Sequence, residues 1–334
     1  MQKQCFQKLA LVWLPIWLFS TFAQAAEHQP TIAPEITILS TMVANLTGEG
    51  EWGFSALIET DQEAILFDSG FKPDTVLDNA QRLGVDLGHV EKVILTHFHS
   101  DHTGGLFSLR RALMGSHPTA LTRVYVGKGF FRQRYAADRT PAYSLAMHPD
   151  EETFTTPESF KATGEALGIQ FIEVQDWFEI SPGMFLTGPI ERVHDEKNYN
   201  PGMSIKEAGA FIPDWIPESQ VLGVHLDEGW LLISGCGHAG IVNAASRLRQ
   251  IIEQPIHMGV GGFHLYRADA ETLTWTADHL ERFGLKKFVG AHCTGISATY
   301  RIGKALALPH SDISVGAVGT RIDRDLNIIR ASIE

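Results

Sequence analysis

The feature that most constrains this chain is a run of metal-binding side chains set directly behind a short apolar segment. Val90-Glu91-Lys92-Val93-Ile94-Leu95-Thr96 reads as a buried strand, and His97-Phe98-His99-Ser100-Asp101-His102 follows it without a break, ahead of Thr103-Gly104-Gly105. A strand end is a rigid platform, and a glycine-bearing loop on it can aim several side chains into one space. Neutral imidazole suits zinc, iron, copper and nickel, and a carboxylate adds charge neutralisation. Four potential ligands within six residues crowd a single tetrahedral ion. Their reach favours two ions with a water or hydroxide between them, which lowers the pKa of that water. A solvated histidine-rich turn is the competing reading. The internal position behind a buried strand, and the aspartate mixed in, favour metal.

The rest of the chain has to frame that loop. Strand patterns cover 36–46, 54–58 and 64–67, the last ending in Asp68-Ser69-Gly70. A helix is expected over 74–83, closed by Gly84, and another from about Thr103 through Leu113. Residues 115–165 lack clear periodicity and read either as a functional loop or lid or as a plain insertion. Strand patterns return at 169–174, 184–186, 220–226 and 230–234. Helix and strand then alternate: helix 240–252, strand 256–260, helix 270–283, strand 287–291, helix 297–306. Strands first and alternation later predict an α/β chain with sheets packed between helices, an αββα sandwich, over residues 26–334.

The N-terminus carries a different signal. Lys3 and Lys8 precede an apolar stretch from Leu9 to Phe22, followed by Ala23-Gln24-Ala25. This pattern predicts a secretory signal peptide over residues 1–25 and an exported protein, periplasmic or secreted, with no stable membrane anchor after cleavage. The stretch is short for a spanning helix. The net charge of −12 repels phosphate backbones and argues against a nucleic-acid partner. A small-molecule substrate is expected instead. Cys236 and Cys293 remain after cleavage, each inside a glycine-containing motif, and free thiols near the site are expected.

Thr96 to Gly105 resembles the HxHxDH signature of the metallo-β-lactamase superfamily, and Leu66-Phe67-Asp68-Ser69-Gly70 resembles the aspartate-bearing strand end that precedes it there. Three later motifs, Ser234-Gly235-Cys236-Gly237-His238-Ala239-Gly240, Gly261-Gly262-Phe263-His264-Leu265 and Ala291-His292-Cys293-Thr294-Gly295, are similar to the branch called dihydropterin-ribofuranosylaminobenzene phosphate synthase-like. The resemblance spans about residues 36–320. It implies two divalent ions, zinc before manganese or iron. His97, His99 and a third histidine would hold the first; Asp101, His102 and His292 the second. His238 is expected as the third histidine, with His194 its rival. Asp68 would orient the ligand loop. Where relatives often carry a bridging aspartate, this chain has Cys236, read as a thiolate ligand or as a small buried apolar residue. His264, beside two glycines, could bind substrate or transfer a proton. Trp52 stands where branch members often carry histidine.

The function expected first is metal-assisted hydrolysis of an ester, lactone or phosphoester, with Asp101 orienting the hydroxide. The second is a transferase joining a dihydropterin methyl diphosphate to an aryl ribose phosphate, against which the signal peptide speaks. The third is a non-catalytic metal or ligand binder.

Overall fold

In the computed structural model, residues 34–142, 156–196, 198 and 202–332 are described. The expected signal peptide, 1–25, lies outside them. Among the described residues no helix is long and apolar enough to cross a membrane.

Two large sheets form the centre. The first has eight strands, in the order Ile328–Ile329, Arg321–Ile322, Glu35–Ser40, Ser55–Glu59, Ala64–Phe67, Lys92–Leu95, Arg123–Gly127 and Gln170–Val174. The second has seven, in the order Ile313–Ser314, Lys287–Gly290, Ile256–Gly261, Gly229–Ser234, Leu222–Leu226, Met184–Leu186 and Phe178–Ser181. Successive side chains of a strand point to opposite faces, and these strands are apolar on both. Ile36, Ile38, Ile65, Phe67 and Ile94 face Leu222, Val224, Leu231, Ile233 and Val260 between the sheets. Leu57, Leu66, Val93 and Leu95 turn outward under the helices Thr75–Leu83, Leu106–Leu113 and Pro157–Ala166. Trp230, Leu232 and Phe288 do the same under Ile241–Ile251, Ala270–Arg282 and Ile296–Ala305. The result is the expected four-layer αββα sandwich.

Most element boundaries agree with expectation to within two residues. The helix Thr75–Leu83 stops at Gly84, whose φ of 70° lies in the left-handed region. The segment 115–165 is the main departure. It contributes a central strand, Arg123–Gly127, paired parallel to Lys92–Leu95 on one side and Gln170–Val174 on the other, and the helix Pro157–Ala166. A third sheet, Ala210–Pro213, Ser204–Glu207, Arg134–Tyr135 and Pro141–Ala142, was not anticipated.

The topology decides where chemistry can occur. Ala64–Phe67 and Lys92–Leu95 run parallel, as do Gly229–Ser234, Ile256–Gly261 and Lys287–Gly290. Every motif singled out in the sequence follows the carboxyl end of one of these five strands, the usual edge for ligand sites in parallel sheets.

Candidate active site

The first side chain to fix is Asp68, which leaves the strand Ala64–Phe67 with a φ of 54°. It is fully buried, so its carboxylate must find donors. One oxygen accepts the Thr96 amide at 2.8 Å; the other accepts the Thr96 hydroxyl at 2.8 Å and lies 2.7 Å from His102 Nδ1. Those bonds tie the ligand loop to the neighbouring strand end and turn His102 Nε2 the other way. Nε2 faces the Cys236 sulfur at 3.1 Å and an Asp101 carboxylate oxygen at 3.6 Å. His292 Nε2 approaches the same two groups, 3.3 Å from each. His97, His99 and His238 converge beside them: His97 Nε2 lies 3.0 Å from His99 Nδ1, and the His238 ring is 4.6 Å from that of His97. His238 Nδ1 donates to the Asn198 carbonyl, which leaves its buried Nε2 with no partner among the described residues.

Among the described residues three sets of donor atoms lie close enough to share an ion: Asp101, His102, Cys236 and His292; His97, His99 and His238; and Cys236, His264 and Cys293. His97, His102 and His238 are anchored through Nδ1, and such imidazoles, with a carboxylate and thiols between them, are a metal-binding donor set. An ion shared with His97 and His99 would satisfy the unpartnered His238 Nε2. The expected ligands His97, His99, Asp101, His102, His238 and His292 are thus gathered at one place. His194 is not. It bonds Ser246 and, through its amide, Asn243. Cys236 and Cys293 are free thiols, as expected.

Charge follows from crowding. Burial, with His102, His99 and His238 around it, holds His97 well below the usual histidine range. Burial likewise brings His99 down to about 4 and depresses His238, with His264 adding to it. Burial alone would raise the Asp101 carboxyl, but the neighbouring His102 and His292 outweigh it and keep Asp101 ionised.

Glycine is obligatory at one position. A Cβ on Gly235 would stand 2.2 Å from the Asp68 carboxylate and 2.4 Å from the Thr96 hydroxyl. Gly235→Ala is therefore expected to push Asp68 off His102 and weaken metal binding roughly 10- to 100-fold, the usual effect of losing a ligand's outer partner. Competition against a chromophoric chelator reads the change, and an unaltered affinity would show the Asp68–His102 contact to be idle.

The buried clusters of Arg134 and Glu196 and the placement of Tyr266 escaped the sequence reading, which had singled out Trp52. Arg134, buried, bonds Asp214 at 2.8 Å and also Glu218, and Glu218 accepts the Phe98 amide at 3.2 Å, between the ligands His97 and His99. Trp52 and Tyr266, 45% and 37% exposed, stand edge to face at the cavity mouth, with Trp52 against His292. Glu196 caps the helix Ile241–Ile251 through two amides, and burial raises its carboxyl to about 7. Each depends on long-range packing with no local spacing signal. The cavity holds about 1150 Å³ and is lined by Trp52, Asp101, Arg134, Asp214, His264 and Tyr266, among others. In the 211–217 stretch Asp214 and Ile216 line the cavity, whereas Trp215 packs on Arg192.

The family model of the metallo-beta-lactamase superfamily matches residues 53–177. The chain is 30% identical over 254 residues to 7,8-dihydropterin-6-methyl-4-(β-D-ribofuranosyl)-aminobenzene-5'-phosphate synthase of Methanocaldococcus jannaschii, covering 74% of this chain and 82% of that protein. Among solved structures it is similar to Tm1679, a metal-dependent hydrolase of the β-lactamase superfamily, with a TM-score of 0.68 and 25% identity over 87% of this chain and 98% of that one. It also shares its fold with YhfI from Bacillus subtilis, with a TM-score of 0.52 and 10% identity over 87% and 99%.

Proposed function

Because this chain belongs to the metallo-β-lactamase superfamily, we propose that it is a metal-dependent transferase joining a dihydropterin methyl diphosphate to an aminobenzene ribose phosphate. The observation that carries this reading is the 30% identity with a protein named as such a synthase, along 82% of its length. The same observation corrects the expectation of an ester, lactone or phosphoester hydrolase. A cavity of about 1150 Å³ exceeds the usual volume for one drug-sized ligand and suits two ring-bearing partners.

In the reaction the methylene carbon gains a bond to the aminobenzene nitrogen and loses its bond to the diphosphate oxygen. The electron pair leaves with the diphosphate, and the alkylated nitrogen sheds its proton to water. His97, His99 and His238 would hold one divalent ion, and Asp101, His102, Cys236 and His292 another, with zinc the first choice. Such ions supply positive charge to the departing diphosphate. The chain itself positions the reactants. Trp52 and Tyr266 offer aromatic faces at the mouth for the rings, and Asp68 holds His102 in one orientation. Supplying both substrates to the metal-loaded protein and weighing the products tests the reading. The joined product is expected; its absence at saturating substrate sinks it.

The two donor groups should load differently with pH. His97, His99 and His238 are neutral throughout the neutral range, since each is depressed and His99 lies at about 4. In the other group, burial would lower His292, but Cys293 and Asp101 raise it to about 10, and burial pushes the Cys236 thiol up. Both must lose protons before binding. Affinity at this second group therefore rises with pH toward about 10 and falls on acidification, while the first group stays flat. Calorimetry in buffers of different ionisation enthalpy should find proton release for the second group alone. Export through residues 1–25 is a separate proposal that counts against the transferase, and cell fractionation with sequencing of the mature N-terminus checks it.

A further inference from the structure

We infer that Cys236, His264 and Cys293 form a third metal position, suited to a thiophilic divalent cation, beside the two groups described above. Their three donor atoms lie within 4.8 Å of one another, and all three residues line the cavity, which leaves a coordination position open to a ligand. His264 and Cys293 belong to neither of the other groups.

The local backbone is built to bring them together. Gly261 has a φ of 114°, and a Cβ on Gly262 would stand 2.0 Å from the Gly235 carbonyl and 3.0 Å from the Cys293 sulfur. Only glycine lets this turn pass so close to the Gly235–Cys236 segment. The turn delivers His264 at a φ of 51°, a conformation that costs a non-glycine residue about 1–3 kcal/mol and persists where the surroundings demand it. The His264 amide then donates to the Cys293 sulfur at 3.3 Å, favouring the thiolate. His264 Nδ1 is buried without a partner among the described residues. An unbonded buried nitrogen is unfavourable, and a cation held by the His264 ring and the two sulfurs is a partner the ring lacks.

The sulfur atoms of Cys236 and Cys293 are 3.3 Å apart. That is well beyond a disulfide bond of about 2.05 Å. With sulfur ligands at about 2.3 Å from the ion, it corresponds to an angle of roughly 90°, and an opening of about 0.5 Å makes the angle tetrahedral. Cys236 also faces His102 and His292, so its sulfur would bridge this position to the neighbouring one. The alternative, two buried thiols acting as small apolar residues, accounts for neither the strained histidine nor its orphaned nitrogen.

Elemental analysis of the full-length protein, saturated with zinc and freed of loosely held ion, tests the assignment. Three equivalents are expected in the unaltered protein and two in both Cys293→Ser and His264→Ala. In the cobalt-substituted protein the sulfur-to-metal absorption band should weaken in Cys293→Ser. Saturation at two equivalents, or a third equivalent retained in the variants, would overturn it. So would a mass two hydrogens lower in the unreduced protein, the sign of a Cys236–Cys293 disulfide. Should Cys293→Ser fail to fold, His264→Ala decides. None of these readouts depends on which reaction the protein catalyses.

Discussion

Replacing Arg134 with methionine is expected to destabilise the protein by about 3–5 kcal/mol, the usual result of removing one partner from a buried ion pair. Arg134 and both its partners, Asp214 and Glu218, are almost fully buried. Burial pushes the Glu218 carboxyl upward even beside the guanidinium, so without Arg134 two desolvated acids face each other. The damage should reach the site as well. Glu218 accepts the Phe98 amide, and a shift there displaces His97 and His99 on either side. Urea unfolding of the metal-free protein measures the first effect, and metal retention after gel filtration the second. The variant combining Arg134→Met with Asp214→Asn and Glu218→Gln should recover much of the loss, because no uncompensated charge remains. A loss below ~1 kcal/mol for Arg134→Met, the range of surface pairs, would contradict the argument.

Asp101→Asn should lower the condensation rate by at least about 100-fold, beyond the effect of losing an outer partner of a ligand. The substitution keeps the shape and removes the only carboxylate in the donor group of His102, Cys236 and His292. It also removes the charge that helps hold His292 at about 10. The His292 resonance of the metal-free variant should therefore titrate at a lower pH, a shift that a general loosening of the fold would not confine to one histidine. A variant with unchanged rate and unchanged His292 would place Asp101 outside the chemistry.

How much of this was legible beforehand depends on range. The strand Lys92–Leu95 and its histidine loop are contiguous, so their spacing alone pointed to metal. Asp68, Cys236, His238, His264 and His292 were found through motifs that resemble the superfamily and its branch; each follows a strand, and parallel strands bring their carboxyl ends to one edge. His238 lies beside His97 and His99, and His194 does not. Arg134, Asp214 and Glu218 were invisible, since a buried ion cluster assembled from a short strand and a distant loop leaves no periodic trace. Arg123–Gly127 was missed for a related reason: its partners, 92–95 and 170–174, define it as a strand more than its own five residues do. Reaction type lay furthest from the sequence pattern, because one metal-binding edge serves both hydrolysis and transfer.

The most direct measurement is the ratio of joined pterin–aminobenzene product to diphosphate released by the metal-loaded protein supplied with both substrates. A transferase yields one joined product per diphosphate, and the yield falls to background when a chelator strips the metal. Diphosphate released without joined product, or release of neither, would contradict the account.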